Sequence, residues 1–102
     1  MKRNTMTRFD DIRNWAIARN LIEGSTPDKQ FLKLIEETGE LAHGMAKFDT
    51  NEIVDAIGDV IVVLTIIAKQ YGYTTEGCIE HAWSQIKDRK GKMINGVFVK
   101  EV

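Results

Sequence analysis

Apolar residues recur every three to four positions through most of the chain, the spacing of amphipathic helices. Ile12, Trp15, Ala16, Ala18 and Ile22 form the first such run. Thr7 precedes it as an N-cap, with Asp10 and Asp11 in the first turn, where carboxylates favour the helix dipole. Glu23-Gly24-Ser25-Thr26 is expected to end it. Thr26 followed by Pro27 is a second start signal, since proline suits the first helical position. From there to about residue 48, Phe31, Leu34, Ile35, Thr38, Leu41, Ala42, Met45 and Phe48 fall on one stripe. Glu36, Glu37 and Glu40 fall opposite, with Lys33, Gly44 and Lys47. Asp49 and Glu52 have the spacing of a capping box and open a third helix, from about 50 to 71. Ile53, Val54, Ile57, Val60, Ile61, Val63, Leu64, Ile66 and Ile67 leave that helix almost no polar face. A helix apolar all round is buried all round, which in so short a chain predicts cover from another subunit.

Tyr71-Gly72-Tyr73 breaks the third helix. Thr74 or Thr75 caps a fourth, expected to reach about residue 90, with Ile79, Ala82, Trp83 and Ile86 in its stripe and Cys78 beside them. Met93-Ile94 and Val97-Phe98-Val99 flank Asn95-Gly96, the residues of a two-residue hairpin turn. A lone hairpin is marginal in water, so it is expected to pack on the bundle or on a neighbour. The predicted fold class is all-α: a four-helix bundle completed by oligomerisation, with a short C-terminal β-hairpin. Residues 1–102 form one domain, with 1–6 as a flexible tail.

Composition narrows the function. The net charge is −1, so no global basic field points to nucleic acid. One cysteine, Cys78, excludes an internal disulfide and a cysteine-rich zinc site, and fits a reducing, cytoplasmic setting. The basic stretch Met1–Thr7 precedes no apolar run and does not read as a secretory signal. The longest apolar run, Val60 to Ile67, is interrupted by Thr65 and falls far short of the ~20 residues that span a bilayer. A cytoplasmic protein with neither membrane nor nucleic-acid partner is expected. Cys78 and Trp83 read as core, His43 and His81 as surface or capping residues. The basic run Lys87-Asp88-Arg89-Lys90-Gly91-Lys92 suits a helix C-terminus, with Gly91 as its cap.

The candidate chemistry lies in the acids. Glu36, Glu37 and Glu40 sit three and four apart, where like charges on a helix repel. A solvated face with Lys33 paired to Glu36 or Glu37 is one account; a bound divalent cation is another. Asp55 and Asp59 lie on the next helix, and their face continues through apolar Val62 and Ile66. A carboxylate at the rim of a buried face needs a partner, either a metal or a basic side chain from another element.

The motif Glu36-Glu37-x-x-Glu40, followed by Asp55-Ala56-Ile57-Gly58-Asp59-Val60 opening an apolar helix, resembles the MazG-like nucleotide pyrophosphohydrolases. These belong to the all-α NTP pyrophosphatase superfamily, alongside dimeric dUTPases and dCTP pyrophosphatases. The similarity runs from about Trp15 to the C-terminus. Its tail, Arg89-Lys90-Gly91-Lys92-Met93-Ile94-Asn95-Gly96-Val97-Phe98, looks like small single-domain phage-type members. The resemblance implies hydrolysis of a (d)NTP to (d)NMP and pyrophosphate with Mg²⁺, Mn²⁺ serving as a substitute. It also implies a homodimer or homotetramer with the site between helices.

Carried over residue by residue, the resemblance makes Glu36, Glu37, Glu40 and Asp59 metal ligands, with Asp55 a further acid. The family's second motif is commonly Glu-x-x-Asp, and here Ala56 stands at the Glu position. Hard oxygen ligands of this kind hold Mg²⁺ against substrate phosphates. A glutamate not taken up by the metal, Glu37 or Glu40, would orient the attacking water or accept its proton. Lys33, Lys87, Arg89, Lys90 and Lys92 are the implied phosphate contacts, Arg89 matching the family best in position. Trp15 would stack on the base, or belong to the core. Two other readings stand beside this one: a dUTP- or dCTP-specific pyrophosphatase, and a non-catalytic nucleotide-binding or regulatory helical protein.

Overall fold

The computed structural model describes residues 5–102; of the tail expected over 1–6, residues 1–4 lie outside the described part. The elements follow in order α1 (Arg8–Ala18), α2 (Pro27–Lys47), α3 (Thr50–Gln70), α4 (Thr75–Ile86), β1 (Gly91–Ile94) and β2 (Val97–Lys100). Thr7, Thr26, Asp49 and Thr74 each accept a hydrogen bond from the third amide of the helix they start, satisfying a donor that has no partner inside the helix. Thr75, the other candidate for the last cap, is buried instead. Its hydroxyl donates to Thr65 Oγ1 at 2.9 Å, and Thr65 donates to the Ile61 carbonyl at 2.8 Å. The one polar break in the apolar run of α3 thus anchors the start of α4.

Two boundaries and one cap differ from the sequence reading. The first helix ends at Ala18 rather than near Glu23, because Asn20 takes the left-handed conformation (φ 58). The Leu21 amide then donates to Ala16 O and the Asn20 amide to Ile17 O, a Schellman closure. At the start of α3 only half of the capping box forms. The Asp49 amide donates to Gly44 O at 2.9 Å, while the Glu52 carboxylate meets His43 Nδ1 at 2.7 Å. The fourth helix stops at Ile86, and Gly91 opens β1 instead of capping it. Gly91 faces Lys100 across the hairpin, where a Cβ would strike the Val99 carbonyl and the Phe98 ring. The hairpin turn is as expected: Asn95 and Gly96 both have positive φ, the requirement of a type I′ turn.

The antiparallel pair α2–α3 is the centre of the chain. Gly44 is buried in their contact; a Cβ there would lie 3.1 Å from Ile53 N and 3.2 Å from Glu52 Cβ. Close approach at that point turns Leu34, Glu37, Leu41 and Gly44 inward and leaves Phe31, Ile35 and Met45 exposed. The inward stripe of α2 is therefore rotated from the expected one, and it carries Glu37. α3 buries Ala56, Val63, Thr65 and Ile66 and leaves Val54, Ile57, Ile61 and Leu64 exposed.

Cys78 and Trp83, read as core, are both exposed, Trp83 by 54 %. Only Thr75 of α4 is buried, so its Ile79–Trp83–Ile86 stripe is left uncovered among the described residues. Trp15 is exposed too, with the Arg19 guanidinium over its ring at 4.7 Å. Every residue of both strands is exposed, and among the described residues the hairpin makes no extensive contact with any helix. The chain presents 8231 Å² of accessible surface and has a radius of gyration of 16.7 Å. A compact monomer of this mass would present about 5,800 Å² with a radius near 13 Å. Among the described residues, no helix is long and apolar enough to cross a membrane.

Arg13 fastens α1 to α4. Its guanidinium donates to both Glu76 carboxylate oxygens, at 2.7 and 2.8 Å, and to Asp10 at 2.8 Å, with the side chain only 11 % exposed. The Arg13 hydrogen bond holds the Glu76 carboxyl below its ordinary range. The Thr7 amide, then Arg13, do the same for Asp10. Lowered carboxyl pKa values stabilise the fold above the ordinary carboxylate range, and that stability is lost as pH falls through the lowered values. Arg13→Met is expected to lower the melting temperature at pH 7 by a few degrees. In a pH series of melting curves, the gap to the parent protein should narrow below about pH 4.

Candidate metal centre

Glu37 and Glu40 are three apart on α2, so one turn of helix carries both towards the same side. Asp59 meets them from α3. One carboxylate oxygen from each of the three lies within 4.8 Å of the others. Two oxygens on one Mg²⁺ ion sit about 3–4 Å apart, given metal–oxygen distances near 2.1 Å. Small rotations of the exposed Glu40 and Asp59 side chains are enough to reach that spacing.

Glu37 is the unusual member. It is 5 % exposed, and its Oε2 is buried with no hydrogen-bond partner among the described residues. Its Oε1 lies 3.3 Å from Lys33 Nζ, which also reaches Glu36 Oε1 at 3.4 Å. A buried carboxylate oxygen without a donor is costly unless something positive meets it. The set fits a hard divalent cation: three oxygen donors, one held in the helix interface and two with room to adjust.

The electrostatics agree. Partial burial, then the nearby Glu37 carboxylate and the Asp55 charge, hold the Asp59 carboxyl above its ordinary range, while Lys33 pulls it down. Hydrogen bonds to Glu37 and Glu36 raise Lys33. Without a cation, the cluster thus holds more negative charge than it can accommodate comfortably.

The other sequence candidates are placed differently. Glu36 turns to solvent beside Lys33 and does not join the cluster. Asp55 is exposed and acts on Asp59 through its charge. Ala56 is 1 % exposed, three residues before Asp59 on the packed side of α3. A glutamate there would share the face of Asp59, so the alanine leaves three carboxylates where the usual motif would supply a fourth. Lys87, Arg89, Lys90 and Lys92 lie beyond α4, on a segment whose hairpin makes no extensive contact with α2 or α3 among the described residues. Trp15 is engaged by Arg19. The His43–Glu52 pair, nine residues apart, escaped the sequence reading because it depends on how the α2–α3 turn closes.

A family model described as the MazG nucleotide pyrophosphohydrolase domain matches residues 25–94. That span begins at the α2 cap and ends with β1, so it takes in every carboxylate of the cluster. The chain is also 57 % identical over 60 residues to the "Uncharacterized 18.2 kDa protein in rep-hol intergenic region" of Haemophilus phage HP1 (strain HP1c1). The match covers 59 % of this chain but only 37 % of that protein's length. No solved structure matches.

Proposed function

The chain belongs to the MazG nucleotide pyrophosphohydrolase family, and from that premise we propose that it is a Mg²⁺-dependent nucleoside triphosphate pyrophosphohydrolase acting in nucleotide-pool house-cleaning. Its reaction would convert a (d)NTP and water into the (d)NMP and pyrophosphate. The observation that carries this reading is the partnerless buried Oε2 of Glu37, set among the carboxylates of Glu40 and Asp59. When bound, Mg²⁺ supplies charge to offset the phosphates and lowers the pKa of a coordinated water; Mn²⁺ is the expected substitute.

The side chains divide the work by exposure. Glu37, packed and braced by Lys33, would be the fixed ligand, and Asp59 would complete the hold from α3. Glu40, exposed and without a salt bridge in the described structure, would orient the water and accept its proton as the water oxygen bonds to the α-phosphorus, the α–β phosphoanhydride bond breaks and pyrophosphate leaves. Half-exposed Lys33 stands at the edge of the cluster, where a phosphate would arrive. The uncovered stripes of α2, α3 and α4 support a homodimer or homotetramer.

A panel of (d)NTPs with Mg²⁺, assayed for pyrophosphate, tests the proposal. Release across several bases supports a broad house-cleaning enzyme. Release confined to dUTP or dCTP narrows it to that substrate. No release from any of them at high protein concentration would sink the hydrolase reading.

A further inference from the structure

We propose that the C-terminal arm, residues 87–101, docks on a second copy of this chain and carries its cations to the partner's Glu37–Glu40–Asp59 cluster. Each substrate site is then completed in trans. The delivery of cations to a substrate site rests on the hydrolase reading above; the docking of the arm does not.

The arm is built to be covered. Cross-strand pairing places Lys92, Ile94, Val97 and Val99 on one face of the ribbon and Gly91, Met93, Phe98 and Lys100 on the other, so each face is largely apolar with one lysine at its end. Both faces are exposed, and among the described residues no helix packs extensively on either. A two-stranded ribbon that is largely apolar on both sides is marginal in water by itself. It is nevertheless fully formed, with its turn fixed by Asn95-Gly96 and the ladder extended by the Glu101 amide on the Lys90 carbonyl at 2.8 Å.

Charge selects the surface it meets. The arm carries Lys87, Arg89, Lys90, Lys92 and Lys100 against Asp88 and Glu101. The acid face carries Glu36, Glu37, Glu40, Asp55 and Asp59 against Lys33. Such faces attract, and like faces of the two copies repel. A triphosphate brings about four further negative charges, more than one divalent ion offsets. Lys33 is the one cation bonded to the cluster among the described residues, and Glu36 and Glu37 already occupy it.

The area is also sufficient. The chain exposes on the order of 2,000 Å² more than a compact monomer of its mass. Covering that on both copies gives an interface of the obligate class.

The test mixes full-length unlabelled and ¹⁵N-labelled chains, unfolds and refolds them together, and treats them with a zero-length carbodiimide. This reagent joins a lysine amine to a carboxylate already in contact with it. Mass spectrometry of the digest should find amide links from Lys90, Lys92 or Lys100 to Glu36, Glu40, Asp55 or Asp59 in mixed-isotope form. Links of that kind only within chains of one label, or mixed links confined to other surfaces, would overturn the proposal.

A second arm of the test reads turnover. Glu40→Gln and the Arg89→Ala/Lys92→Ala double variant should each be inactive alone. Refolded together in equal amounts, they should regain about a quarter of parent activity, since half the dimers are mixed and each mixed dimer has one intact site. No recovery, with mixed dimers demonstrated by mass, overturns completion in trans. A parent protein without turnover would instead strike the hydrolase reading, and the cross-links would still decide where the arm docks.

Discussion

Glu37→Gln is expected to reduce pyrophosphate release at least about 10²-fold while leaving the helical circular dichroism spectrum unchanged. Glutamine keeps the shape and one acceptor for Lys33, so the α2–α3 contact survives. What it removes is the fixed anionic oxygen at the centre of the cluster. The same substitution should have opposite effects on stability with and without metal. In metal-free buffer at pH 7 the parent protein holds an Asp59 carboxyl raised above its ordinary range, first by burial and then by Glu37. A raised carboxyl pKa stabilises the fold when protonated, and that stability is lost as pH rises through the folded value. Removing the Glu37 charge relieves Asp59, so the metal-free variant should melt no lower than the parent. Mg²⁺ at about 100 times its dissociation constant adds about 2.7 kcal/mol to a protein that binds it only when folded. The parent protein should then gain several degrees while the variant gains almost nothing. Thermal melts of both proteins with Mg²⁺ and with a chelator read this crossover directly.

The second large effect concerns the uncovered stripe Val54–Ile57–Ile61–Leu64 on α3. Ile61→Glu places a charge in its middle. On a solvated surface such a change is usually worth less than about 0.5 kcal/mol. Inside a subunit interface it strands an unpaired charge, which costs several kcal/mol. The expected outcome is dissociation: light scattering should return a mass near 11.6 kDa for the variant and a multiple of it for the parent protein. An unchanged assembly, or a parent protein that is itself monomeric, would remove the argument that a second subunit completes the core.

Local chemistry was legible in the sequence. Thr7, Thr26 with Pro27, Asp49 and Asn95-Gly96 act on amides and dihedrals within a few residues of themselves, and each does what its type suggests. The spacing of Glu37, Glu40 and Asp59 was legible for the same reason. The face of α2 that turns inward was not. Two apolar stripes compete on that helix, and the close approach at Gly44 selects the one containing Glu37. Nothing at residue 44 announces this, because it depends on where α3 lies. The end of α1 was hidden by the choice of Asn20 over Gly24 for the left-handed position. The basic run after α4 reads equally as a helix end or as the lead into a strand, and only the pairing of Gly91 with Lys100 decides. Periodicity likewise shows that α4 has an apolar face, but not which chain covers Trp83.

The most direct measurement is a Mn²⁺ titration followed by electron paramagnetic resonance of the unbound ion. It should compare the parent protein with Asp59→Asn and Glu37→Gln. A centre shared by these carboxylates predicts saturable binding by the parent protein, weakened at least about tenfold in both variants. Superimposable titrations for all three proteins would contradict it.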